Sequence, residues 1–187
     1  MKLNYKNIAG TFLFFGAAQF ILSTIIAESL YPGYNIYTNS LSSLGVGPVP
    51  WIFNVSVILL GATALIAGFL ILKTFNDKPI AALLTLSGLG GIFVGLFPSN
   101  FSIIHSVAAG FAFFFAPFAA IACYRITRPP MKYVCLILGL ISVIGFILYK
   151  TNTDFDLGWG MERIIVYPTL IWAIVFGGYL MAVKEKK

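Results

Sequence analysis

Glu28, His105, Glu162 and Arg163 are the residues of this chain whose types could do chemistry together. A histidine beside a carboxylate makes a general acid–base pair, because imidazole exchanges its proton near neutral pH and the carboxylate can orient it. A guanidinium offers a planar fork of donors that suits an anionic group. Nearby hydroxyls and amides, on Asn39, Ser42, Ser43 and Asn54, are suited to holding a polar ligand. His105 and Glu28 are therefore the candidate catalytic residues. Arg163, Glu162, Ser42, Ser43, Asn39 and Asn54 are the candidate ligand-binding residues. Asp154 and Asp156 read as plain loop carboxylates.

Other chemistries find less support. The chain has one histidine, so a multi-histidine zinc site is impossible, and no HExxH spacing supports a metal held by His105 and carboxylates. No metal or cofactor is expected. A serine–histidine–carboxylate set can be drawn from Ser42 or Ser43, His105 and Glu28, but no GxSxG motif accompanies it. Gly88, Gly90, Gly91 and Gly95 do not match GxGxxG and follow no strand, and with Ser87 they suit close helix packing instead. Cys123 and Cys135 form no CxxC pair and read as small apolar residues near a helix end.

The elements that must position these residues are membrane helices. Hydrophobic residues make up 59% of the 187 and charged residues 10%, against roughly 25% charged in soluble domains. Mean hydropathy is +0.94. A membrane helix needs about 20 mostly apolar residues. Six stretches qualify, at 8–27, 51–72, 80–97, 103–124, 133–149 and 164–183, and none alternates with the period of two that a barrel requires. The first is too long for the apolar core of a signal peptide and no small-residue cleavage site follows, so it reads as a retained helix. The expected fold is an all-α integral membrane protein, one domain over 1–187, with the six helices forming an up-and-down bundle.

Loop charge sets the orientation. Lys2, Lys6, Lys73, Lys78, Arg125, Arg128, Lys132, Lys184, Lys186 and Lys187 fall on one side, leaving only Lys150 and Arg163 for the other. The positive-inside rule makes the first side cytoplasmic, so both termini are inside and the expected location is the plasma membrane. The same clusters account for the formal charge of +6. They form no stripe along a polar helix, which argues against nucleic acid, and their natural partners are membrane lipids. Tyr31, Tyr34, Trp51, Tyr149 and Trp159 outside, with Tyr5, Tyr124 and Tyr133 inside, suit the two interfaces. Pro117 and Pro168 fall within spans.

This topology gathers the candidate residues at the outer side. Glu28 ends the first span, His105 opens the fourth and Glu162–Arg163 precede the sixth. Gln19, Ser23, Thr24 and Glu28 share one face of the first helix, which should look into the bundle, since lipid offers it no partner. The first outer loop, 30–50, carries no charge and three tyrosines, a composition that favours an ordered lid over a linker. The implied feature is an outward-facing polar pocket.

At these residues the chain resembles a known family, the uncharacterised prokaryotic multispan membrane family called domain of unknown function 998. The resemblance is carried by Glu28 leading to Tyr31-Pro-Gly-Tyr34, by Asn39-Ser-Leu-Ser-Ser-Leu-Gly45, by Trp51-Ile-Phe-Asn54, by Gly95-Leu-Phe-Pro98 with His105, and by Glu162-Arg163 with Trp172. Where the family usually reads Ser-Asp-Leu-Gly, this chain has Ser42-Ser43-Leu44-Gly45, so Ser43 stands in place of an aspartate. The resemblance implies six spans and brings no activity. Three functions remain open. One is a binding protein for a lipid headgroup or small amphiphile, with Arg163 pairing an anionic group. The second is a hydrolase-like enzyme on outer-leaflet lipids using His105 and Glu28. The third is a small-solute or proton-coupled transporter, which has the least support because no span carries a charge at its middle.

Overall fold

A computed structural model describes residues 4–151 and 160–183. Lys2, Asp154, Asp156, Trp159, Lys184, Lys186 and Lys187 lie outside the described residues. Six helices form: α1 (Tyr5–Ser29), α2 (Pro50–Phe75), α3 (Lys78–Leu96), α4 (Ser102–Ala122), α5 (Met131–Thr151) and α6 (Met161–Ala182). Each is long and apolar enough to cross a membrane, one for each expected span. Among the described residues there is no strand. The chain is a multi-pass α-helical membrane protein.

Helix ends follow from local chemistry. The Asn4 side chain accepts from the Asn7 N–H and caps α1, and Asp77 does the same for α3 through the Ile80 N–H. Asn76 closes α2 in the left-handed region at φ 51°, a conformation asparagine tolerates better than most residues. The α2–α3 hairpin therefore needs only Asn76 and Asp77 as its link. Arg125 forks onto both oxygens of Asp77 at 2.9 and 3.1 Å, tying the end of α4 to this corner.

Each helix packs against the next, and α6 returns to α1, so the six close into a ring. Small residues set the closest approaches. A Cβ on Gly61 would lie 2.4 Å from the Gly88 carbonyl oxygen, and one on Gly10 would lie 2.5 Å from that of Gly177. Close backbone contact of this kind drives association where lipid removes the hydrophobic incentive. The outer wall is apolar, with Phe15, Leu22, Phe69, Ile103 and Ile144 all exposed, as a lipid-facing surface should be.

The bundle has two unlike ends. At one, Lys6 donates through Nζ to the Val183 carbonyl, so the start of α1 meets the end of α6. Lys73, Lys78, Arg125, Arg128 and Lys132 belong to this basic end. The other is the loop end, where the segment 30–49 joins α1 to α2. That segment folds back as a 3-10 helix, Leu41–Val46, and drives Leu41 and Leu44 into the core at 3% and 1% exposure.

Candidate functional site

Glu162 and Arg163 open α6 side by side, yet they serve different partners. Successive helical residues point about 100° apart, so neighbours in sequence do not share a face. Both are buried, at 6% and 7% exposure.

Arg163 reaches the loop. Its Nη2 donates to Glu28 Oε1 at 2.7 Å and also to the Tyr34 hydroxyl. Its Nη1 donates to the backbone carbonyls of Ile36 and Asn39 at 3.2 and 3.1 Å. The guanidinium also lies against the Tyr34 ring, with its central carbon 5.6 Å from the ring centroid. Tyr34 passes the chain of bonds on, donating its O–H to the Ser40 carbonyl at 3.1 Å. Burial raises the Tyr34 phenol above its ordinary pKa, against the opposing pull of Arg163. One cation thus gathers the end of α1 and residues 34–40 into a clasp.

Glu162 reaches the next turn of that loop. Its Oε2 accepts from the Ser42 backbone N–H at 3.0 Å and its Oε1 from the Ser42 hydroxyl at 3.2 Å. Ser42 lies in the first turn of the 3-10 helix, where backbone N–H groups lack helical partners. The carboxylate supplies one.

The clasped loop closes over a cavity of about 130 Å³ at the centre of the ring. Its long wall is apolar, including Phe20, Phe53, Val57, Leu84 and Trp172, and Leu41, Ser42, His105 and Glu162 also line it. Glu162 and His105 come close to each other at this end of the cavity. His105 is 7% exposed, and its Nδ1 lies 2.9 Å from the Phe97 carbonyl oxygen. A carbonyl can only accept, so Nδ1 carries the hydrogen; in the neutral ring Nε2 then holds a lone pair. Among the described residues nothing bonds to Nε2.

The candidate residues are thus sorted into three groups. Glu28 and Arg163 pair with each other outside the cavity lining. His105, Glu162 and Ser42 line the cavity. Asn39, Ser43 and Asn54 hold the loop itself. The Asn39 side chain accepts from the Asn35 N–H at 3.0 Å, Ser43 bonds back to Ser40 through N–H and hydroxyl, and Asn54 donates to the Gly45 carbonyl at 3.0 Å. Glu28 and His105 are not bonded to each other, and the Ser42 hydroxyl donates to Glu162 rather than to His105. Of the polar face of α1, Thr24 is fully buried, and Gln19 donates to the Ser56 carbonyl at 2.8 Å, stitching α1 to α2. Sequence reasoning missed Tyr34 as a partner of Arg163, although its place in the uncharged loop was a signal. Among the described residues no group of three or more His, Cys, Asp or Glu could hold a metal ion.

No curated protein and no solved structure matches this chain. A family model described as Protein of unknown function (DUF998) matches residues 14–179. That stretch takes in both halves of the clasp, the loop and all of the cavity's polar end, and the chain belongs to the DUF998 family.

Proposed function

We propose that this protein lies in the plasma membrane with the loop end outward and both termini in the cytoplasm, and that its central cavity holds a membrane amphiphile. The positive-inside rule supports the orientation, because the basic side chains collect at the end where α1 begins and α6 ends. One observation carries the binding reading: an apolar cavity inside a lipid-facing bundle is lined at its loop end by three polar side chains, Ser42, His105 and Glu162, beneath an ordered loop. An apolar pocket with a few convergent polar groups is the usual form of a small-molecule site.

Size narrows the guest. A dry cavity of about 150 Å³ accommodates a benzene-sized molecule, so this one suits a single short chain or ring rather than two acyl chains. Both Nη groups of Arg163 are committed to four acceptors and Arg163 does not line the cavity, so we read it as serving the loop and not a ligand's anion. The test is to incubate the purified protein with a native lipid extract and to identify bound species by mass spectrometry. An Ala64→Phe variant, which places a ring into the cavity wall, should lose them. Retention of the same lipid by that variant would count against the cavity as the site.

A second reading is a lipid-modifying enzyme, and the orientation of His105 favours it. With Nδ1–H held by the Phe97 carbonyl, Nε2 is fixed as a proton acceptor beside the Glu162 carboxylate. Such a group can act as a general base toward a bound substrate. Products formed by wild type and not by His105→Ala would establish this reading; bound lipid without conversion in either would leave binding alone.

A further inference from the structure

The charge arrangement at the cavity's polar end specifies the headgroup, if the amphiphile reading above is accepted as its basis. Glu162 is buried; it accepts from the N–H and O–H of Ser42, and the Leu41 backbone N–H also bonds to it. A carboxylate has about four acceptor positions, so at least one remains open. The adjacent cation, Arg163, does not line the cavity and turns both Nη groups to Glu28, Tyr34 and two carbonyls. His105 adds another acceptor, since its Nδ1–H is used by Phe97 and neutral imidazole presents only a lone pair at Nε2. The Ser42 hydroxyl spends its one hydrogen on Glu162.

The polar end is therefore rich in acceptors and negative. A buried carboxylate without a cation is unfavourable. An anionic head placed there would face repulsion from Glu162. A primary ammonium supplies a positive charge and three donors. We infer that the cavity takes a single-chain primary amine, its alkyl part among Phe20, Val57 and Trp172 and its ammonium on Glu162 and His105. The reading of Arg163 as partner of an anionic headgroup is replaced by selection for a cationic one.

The experiment uses Trp172, which is 2% exposed and lines the cavity, as reporter. Full-length protein carrying Trp51→Phe and Trp159→Phe is placed in liposomes of zwitterionic lipid. It is titrated with 8-bromooctylamine, 8-bromooctanol and 8-bromooctyl phosphate, whose bromine quenches a tryptophan it touches. The amine is expected to bind about tenfold or more tighter than the phosphate, a difference of about 1.4 kcal/mol. Glu162→Gln, which keeps the shape and an acceptor for Ser42, should erase that preference. A cooperative thermal unfolding transition in detergent checks that the variant is folded. Equal or tighter binding of the phosphate overturns the amine inference but leaves the cavity reading intact. If none of the three quenches Trp172, the amphiphile reading itself fails.

Discussion

Arg163 Nη2 lies 2.7 Å from Glu28 Oε1, so residues 135 positions apart join the first turn of α6 to the last turn of α1. The pair does more than bridge two helices. Through Tyr34, Ile36 and Asn39 the same guanidinium holds the loop that roofs the cavity, so one side chain links the closure of the ring at this end to the roof.

Removing that side chain should therefore be costly. Arg163→Ala leaves the Glu28 carboxylate and two loop carbonyls unpartnered in a largely buried place, and breaking a buried pair from one side costs roughly 3–5 kcal/mol. Arg163→Lys should recover only part of this, because an ammonium cannot hold four acceptors in the guanidinium's planar fork. Thermal unfolding in detergent, read beside limited proteolysis of the segment 30–49, checks both. Wild-type stability and protection in the alanine variant would refute the clasp.

Ser42 separates a structural role from a nucleophilic one. Ser42→Ala removes the hydroxyl bond to Glu162 but keeps the backbone N–H bond, so stability should fall by about 0.5–1.5 kcal/mol. If the protein proves to be an enzyme, turnover should survive this change, since the hydroxyl faces a carboxylate and not His105. Abolished turnover with an intact fold would make Ser42 the nucleophile and redirect attention to the serine–histidine set drawn from the sequence.

Close packing predicts a contrast between glycines. Gly61→Ala would place a methyl 2.4 Å from the Gly88 carbonyl, whereas a Cβ at Gly110 meets nothing within 4 Å. Overpacking typically costs about 1–3 kcal/mol. Alanine at an unobstructed helical position gains up to about 1 kcal/mol. Melting temperatures of the two variants should move in opposite directions; a shared direction would mean that α2 and α3 do not approach as described.

How far the sequence led can be judged from these same residues. The spans were legible because the bilayer imposes a length and a composition on each helix, and the alternation of loops placed Glu28, His105, Glu162 and Arg163 at one end. Their pairing was not legible. Glu28 was expected beside His105, whereas it bonds to Arg163, and helix rotation, set by contacts such as Gly10 against Gly177, decides which partner it meets. Adjacent Glu162 and Arg163 looked like one charged unit, whereas the turn of the helix sends one to the cavity and the other to the clasp. The ordered loop was expected from its lack of charge, but the cation organising it lies more than a hundred residues downstream.

Orientation is open to a direct chemical test, because both native cysteines are buried, Cys123 and Cys135 alike. Their burial keeps the background for thiol labelling low. A cysteine at the exposed Ser29 position marks the loop end, and one at the exposed Lys78 position marks the basic end. With an impermeant maleimide applied to intact cells, Ser29→Cys should label and Lys78→Cys should label only after the membrane is opened. The reverse pattern would turn the protein over in the membrane. The cavity's geometry would survive, but its roof would then face the cytoplasm, and any amphiphile it holds would come from the inner leaflet.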